Sequence, residues 1–277
     1  MSHSHDDPFD RGFAHDLAAL GDQQSRMRRR AVLGLLGAGG VGLGTAGVLS
    51  WGGGAATAAA AAGASCATSE IPNETAGPYP GDGSNGPNVL VEDGVVRRDI
   101  RRSFGDADGV AQGVDFRLTL TLQATDTCTP LVGYAVYAWH CTRDGNYSLY
   151  SQGFEDENYL RGVQVTGKKG KVTFRSIYPG CYSGRWPHIH FEVYRSRSAA
   201  TGGGDPVATS QVALPRKQSM HVYRNADGYE SSVTNLERIS LSSDNVFGDD
   251  DGVRQLATVK GSIADGYRAS LLVPVDA

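Results

Sequence analysis

Two histidines two residues apart, His188 and His190, lie in the run Gly184-Arg185-Trp186-Pro187-His188-Ile189-His190-Phe191-Glu192-Val193. In an extended strand, successive side chains alternate faces. Ile189, Phe191 and Val193 then share an apolar face, and His188, His190 and Glu192 share the opposite one. Two imidazoles aimed from one rigid strand make half of a metal site. A His-x-His pair on a polar strand face is more often exposed than liganding, so the other half has to come from elsewhere. Three segments carry candidates: Trp139-His140-Cys141-Thr142-Arg143-Asp144-Gly145-Asn146-Tyr147-Ser148, Pro179-Gly180-Cys181-Tyr182-Ser183-Gly184-Arg185, and Glu74-Thr75-Ala76-Gly77-Pro78-Tyr79-Pro80. The first lies in a turn around Asp144-Gly145 just past an apolar strand. The second is a turn leading into the histidine strand.

The elements that must position these groups read as strands. Asp115–Leu122 alternates apolar and polar without a break, as a half-buried strand does. Leu131–Trp139 is nearly continuous in Val, Tyr and Ala, the pattern of a central buried strand. Lys171–Ile177, His188–Tyr194, Gln211–Leu214, Gln255–Ile263 and Tyr267–Val275 follow, the last two joined by a hairpin turn at Ala264-Asp265-Gly266. Helical signal is confined to a short turn near Arg216–Tyr223. Many short strands with Gly, Pro and Asp turns predict an all-β sandwich or barrel. Ser196–Asp205 and the Asp-rich Ser242–Gly252 read as loops. The latter lacks EF-hand spacing and is expected to be a solvated turn.

Residues 1–64 read as an export leader with a long n-region; Met27 is an alternative start. Arg28-Arg29-Arg30 precedes a mildly apolar, Gly/Ala-rich stretch and an Ala62-Gly63-Ala64 cleavage site, which resembles a Tat signal. A membrane anchor and a lipidated Cys66 are the competing readings. The expected location is extracellular or in the cell envelope. The leader carries five Asp and five Arg, so the remainder keeps the net charge of −4. A mildly acidic domain of this kind carries no nucleic-acid footprint. The expected organisation is an extended segment over 65–114 and a sandwich over 115–277. All four cysteines, Cys66, Cys128, Cys141 and Cys181, follow the leader. Exported cysteines suggest disulfides. Cys128 and Cys141 flank a strand too long to bridge, so Cys141–Cys181 with Cys66–Cys128 is the preferred pairing, with free buried thiols as the alternative. None has zinc-site spacing.

Taken together the motifs resemble the intradiol ring-cleavage dioxygenases, the family of catechol 1,2-dioxygenase and protocatechuate 3,4-dioxygenase. The resemblance runs from about Ile71 to Leu214. It rests on the Trp-His…Asp-Gly-x-Tyr-Ser segment, on Leu160-Arg161-Gly162, and on Ile177-Tyr178-Pro179-Gly180-x-Tyr182-x-Gly-Arg185-x-Pro-His188-Ile-His190-Phe. It implies an antiparallel, prealbumin-like β-sandwich and a ferric iron held by Tyr147, Tyr182, His188 and His190. Two phenolates and two neutral imidazoles suit Fe(III) over softer or divalent metals. By resemblance, Tyr182 opposite His188 leaves when substrate binds, and Tyr147 and His190 stay. Arg185 would lie over the substrate ring, with Gln211 and Tyr79 lining the pocket. His140 is expected to be structural. The implied reaction inserts both atoms of O2 into a catechol to give a muconate-type dicarboxylic acid.

The competing readings are a non-catalytic exported β-sandwich binding module and a copper or zinc enzyme using His188 and His190. The expected partners are a small catechol and O2, with no nucleic acid and with membrane contact only through the export machinery. Homo-oligomerisation stays open, as does the identity of the catechol, since no basic residue stands out as a carboxylate anchor.

Overall fold

The computed structural model describes residues 69–276; the leader read over 1–64 and Cys66 fall outside the described residues. Among those residues, β1 (Asp115–Ala124), β4 (Lys171–Ile177), β7 (Thr258–Ser262) and β8 (Gly266–Val275) form one sheet in the order β4-β1-β8-β7. β2 (Ala135–Trp139), β3 (Arg161–Val165), β5 (His188–Tyr194) and β6 (Ala208–Ala213) form a second in the order β3-β2-β5-β6. The alternation of β1 turns Phe116, Leu118, Leu120 and Leu122 inward, where they join Phe174 and Val172 of β4 and Ala269 and Val273 of β8. They share one core with Val136, Ala138, Ile189, Phe191, Val193 and Val212 of the second sheet. Each of the Val, Leu, Ile and Phe side chains contributes about 1.5–3 kcal/mol through its burial. The apolar face read for Ile189, Phe191 and Val193 is therefore the inner face of the sandwich.

β4 and β5 fall where the pattern places them, and β7 and β8 form the expected hairpin. Several expectations change. The sandwich is not antiparallel throughout: β1 runs parallel to β8, with Phe116 beside Tyr267 and Leu120 beside Leu271. β8 reaches β1 as the inner arm of the β7–β8 hairpin, whose entry sets its direction. The strand β3 was hidden because Arg161-Gly162 opens it, a charged residue and a strand-weakening glycine. The Ser196–Asp205 loop contains a helix, α1 (Arg197–Thr201), whose cap Ser196 accepts from the Ala199 N–H. The turn near Arg216 is a full helix, α2 (Arg216–Asn225), and α3 (Glu230–Glu237) packs beside it. The Ser242–Gly252 segment is only partly solvated. Asp249 and Asp251 face solvent, but Asp244, Val246 and Phe247 are buried. The apolar pair anchors the loop in the core and takes Asp244 inside with it.

The N-terminal segment positions the site. It starts with the Ile71 N–H on Pro274 O, crosses β6 with the Glu74 N–H on Thr209 O, and runs beside β3 at Val96 and Val163. Val89, Leu90 and Val95 pack there on Tyr137, Trp139 and Val163. Every residue of β2 and β5 is consequently buried on both faces.

Candidate metal centre

The polar face of β5 looks into the layer between the second sheet and this cover. Trp139, His190 and Gln211 stand side by side across β2, β5 and β6. The Trp139 indole stacks on the His190 ring at 4.9 Å and 7°. The Nδ1 of His188 lies 2.5 Å from Trp186 O. A carbonyl only accepts, so Nδ1 carries the proton and Nε2 presents its lone pair. That Nε2 is 3.1 Å from His190 Nε2 and 3.3 Å from the Tyr182 hydroxyl. Burial, and then the charge of Arg185, pushes His188 down to about 3. Burial and the neighbouring His188 hold His190 well below the ordinary histidine range. Both imidazoles are neutral at pH 7, the form a metal requires.

Tyr147 and Tyr182 come from two loops packed backbone on backbone. The Gly180 N–H donates to Thr142 O at 3.0 Å, and a Cβ on Gly180 would lie 2.6 Å from Arg143 O. Only glycine allows that approach. The tyrosine rings meet edge-on at 5.8 Å, and Tyr147 lies 6.4 Å from the His190 ring. Tyr147 Oη lies beside the Tyr182 hydroxyl and is a buried oxygen that meets no hydrogen-bond partner at normal geometry. Burial, with Tyr182 beside it, holds this phenol protonated well above its usual range. A buried phenol oxygen without a partner is costly unless a cation meets it. Among the described residues no group of three or more His, Cys, Asp or Glu could hold a metal. A metal here therefore depends on tyrosine oxygens. Two phenolic oxygens and two neutral imidazoles directed to one point fit a ferric ion.

Arg185 is buried beside this cluster. Its Nη2 donates to Gln211 Oε1 at 2.7 Å and its Nε to Asp244 Oδ2 at 3.0 Å. Gln211 Nε2 in turn donates to Thr75 O at 3.0 Å, tying the arginine to the cover. Tyr79 packs at a tilt against Tyr147 at 4.8 Å and Tyr150 at 5.3 Å. The cover passes so close that a Cβ on Gly77, whose φ is +72°, would lie 3.2 Å from His190 Cε1. His140 stays apart: its Nδ1 is 2.7 Å from Cys141 O and its Nε2 2.6 Å from Ser176 Oγ, as a structural histidine should be. The structure thus brings together Tyr147, Tyr182, His188, His190, Arg185, Gln211 and Tyr79.

Of the preferred pairing, the Cys141–Cys181 bridge does not form, and the Cys66–Cys128 half falls on Cys66, outside the described residues. Cys141 and Cys181 are free and buried, their thiols turned to Gly180 O and Arg185 O. Burial pushes Cys141 up to about 12. The loops are joined by the Gly180 contact instead of a bond between sulfurs. Cys128 is disulfide-bonded, to a partner outside the described residues.

Three groups have roles that the sequence reading did not give them: Arg161 and Glu74 lie in segments it quoted, and Asp244 lies in a loop it took as solvated. Arg161 is fully buried and donates to Tyr79 O, Pro80 O, Ser148 O and Ser148 Oγ at 2.8–3.0 Å, fastening the cover to the Tyr147 loop. Asp244 holds Arg185; the apolar Val246-Phe247, beginning two residues after it, was the only local sign of burial. Glu74 hydrogen-bonds Gln255 and lies in the field of Arg185, Asp249 and Asp250; its burial raises it to about 7.

A cleft of about 810 Å³ lies elsewhere, between α2 and the β7–β8 hairpin, lined by Lys217, His221, Arg224 and Tyr267. None of the converging residues lines it.

No family model matches the chain. Over 123 residues it is 31% identical to a chlorocatechol 1,2-dioxygenase of Rhodococcus opacus, covering 43% of this chain and 42% of that protein. Over 188 residues it is 28% identical to catechol 1,2-dioxygenase 1 of Acinetobacter lwoffii, covering 55% of this chain and 58% of that protein. The chain thus spans about half the length of the curated relatives it matches. An intradiol ring-cleavage dioxygenase of Tetranychus urticae has the same fold, with a TM-score of 0.57 and 24% identity over 75% of this chain and 94% of that one.

Proposed function

We propose that this chain is an intradiol ring-cleavage dioxygenase that uses O2 to open catechol-type ortho-diphenols to muconate-type dicarboxylic acids. The observation that carries this reading is the convergence of Tyr147, Tyr182, His188 and His190, two neutral imidazoles and two phenols, in one buried layer. Those residues would hold a ferric ion, whose chemistry is to activate a chelated catechol toward O2.

The chain's own groups divide the remaining work. The Trp186 carbonyl and the Trp139 indole fix the two imidazoles, so their Nε2 atoms stay aimed at one point. Tyr147 is buried at the foot of its loop, whereas Tyr182 is half-buried on a turn. Tyr182 is accordingly the phenol that swings away, its Oη taking up a proton from the arriving diphenol. Arg185 stabilises negative charge developing on the substrate ring. Gln211 holds the arginine, and Tyr79 forms the pocket wall on the Tyr147 side. Export through the segment 1–64 belongs to the same proposal, and fusing that segment to a reporter and fractionating the cells tests it.

The test of the reaction is direct. The protein expressed with iron should be red-brown from phenolate-to-Fe(III) charge transfer, and should take up O2 with catechol while a diacid forms. A colourless, iron-free protein that takes up no O2 overturns the proposal. A red-brown colour without O2 uptake would leave the metal site standing and remove the reaction.

A further inference from the structure

Arg185 is held at two of its guanidinium nitrogens, by Asp244 and by Gln211. Its side chain and that of Asp244 are 3% and 0% exposed, and their Nε–Oδ2 contact is 3.0 Å. The same Oδ2 accepts the Trp186 N–H at 2.7 Å. The other oxygen accepts the N–H groups of Val246 at 2.8 Å and Phe247 at 3.1 Å. Asp244 is thus saturated by four donors and cannot turn. Burial by itself would raise its carboxyl, but Arg185 and the Trp186 N–H hold it below the usual range, so it is ionised. The carboxylate arrives from a loop 59 residues beyond the arginine, outside every motif read for the site.

The pair has two consequences. First, a guanidinium fixed at Nε by a carboxylate and at Nη2 by Gln211 keeps one orientation without substrate. A donor set in advance costs no reorganisation when charge develops. Second, the positive charge of Arg185 is already matched within the dry interior. A second carboxylate approaching it would meet Asp244 across the same guanidinium.

We propose that Asp244 is a positioning residue for Arg185: it fixes the guanidinium as an oriented hydrogen-bond donor and cancels its pull on anions, so that the site takes uncharged catechols in preference to carboxylate-bearing ones. This rests on the reading of Arg185 as the substrate-facing cation.

The experiment compares wild type, Asp244→Asn, Asp244→Glu, Arg185→Gln and Arg185→Gln/Asp244→Asn, each with iron content and thermal unfolding measured. The substrates are catechol and 3,4-dihydroxybenzoate, with kcat and KM determined separately. Asp244→Asn should lower kcat on catechol by up to about 100-fold with little change in KM, as a misplaced catalytic group does. It should also raise the kcat/KM ratio of 3,4-dihydroxybenzoate to catechol by about tenfold, since removing a like charge relieves repulsion. Loss of packing alone would not shift that ratio. Asp244→Glu should restore the wild-type ratio. In the Arg185→Gln background the Asn substitution should lower kcat on catechol no further, and this double variant leaves no unpaired buried charge if Asp244→Asn alone fails to fold. An unchanged ratio, or a full further loss in the Arg185→Gln background, overturns the proposal. A wild type that cleaves neither substrate overturns the proposed function instead; binding of the two catechols to wild type and Asp244→Asn by calorimetry then tests the charge argument alone, and an unchanged preference overturns it.

Discussion

The two sheets of the sandwich share a core but differ on their outer faces. The outer face of the β4-β1-β8-β7 sheet meets water: Asp115, Arg117, Arg268 and Ser270 are exposed, and their polar groups need no protein partner. The outer face of the β3-β2-β5-β6 sheet is roofed by residues 71–100, and β2 and β5 are buried throughout. Polar groups there are dry, so each must find a partner or leave a cost. Three buried polar atoms without one, Trp139 Nε1, Tyr147 Oη and His190 Nδ1, gather on this face, against Arg175 Nε alone on the strands of the other sheet, and two of the three belong to proposed metal ligands. Identical strand geometry therefore yields a neutral surface on one side and a site on the other. The covering segment makes the difference.

The largest effects should follow from breaking the covered face at the metal. His190→Ala and Tyr147→Phe are each expected to lower catechol-dependent O2 uptake by at least about 100-fold and to bleach the visible band. Tyr182→Phe should cut activity strongly, while Tyr134→Phe, a tyrosine outside the motifs, should not. If all four behave alike in absorbance and activity, the ligand assignment is wrong.

Next comes the roof. Arg161→Met strands two cover carbonyls and Ser148, and should cost about 3 kcal/mol in urea unfolding. Arg117→Met on the exposed face of β1 should stay within about 0.5 kcal/mol. Equal costs would remove the contrast between the sheets.

A smaller effect is a pH dependence from Glu74. Its carboxyl is raised from the ordinary 4.5 to about 7. The folded state therefore holds the proton where the unfolded chain has lost it. The stabilisation is complete below about pH 4.5, falls as pH rises, and is gone above about pH 7. Glu74→Gln should flatten this slope, worth on the order of 2 kcal/mol, in denaturant melts at pH 5 and pH 8. A slope unchanged by the substitution would show that Glu74 titrates normally.

The smallest effect concerns the thiols. Cys141 and Cys181 should be inert to thiol reagents in the folded protein, because burial raises both. Both should react once it unfolds. Folded protein in which this pair is found oxidised by mass spectrometry would restore the bridge expected from the sequence.

Much of the sandwich was legible because strand burial has period 2. That pattern located β1, β4, β5 and the β7–β8 hairpin, and it put His188 and His190 on one face. It missed β3, whose Arg161-Gly162 start breaks the apolar pattern, and α3, whose apolar signal is thin. Which residues gather was legible where motif order carried it: Tyr147, Tyr182, His188, His190, Arg185 and Gln211 lie together in the structure, and their roles are what is proposed.

What the sequence determined by itself was local and periodic: which residues lie in strands, and which side chains share a face. The tertiary structure alone decided the partners. Asp244 reaches Arg185 from 59 residues away, and Arg161 reaches back 81 residues to Pro80 O. No periodicity encodes such a pairing, because burial of a polar group depends on what covers it and not on its neighbours in the chain. For the same reason an acidic loop that reads as solvated delivers one buried carboxylate. Likewise, two cysteines expected to bond remain thiols on touching loops.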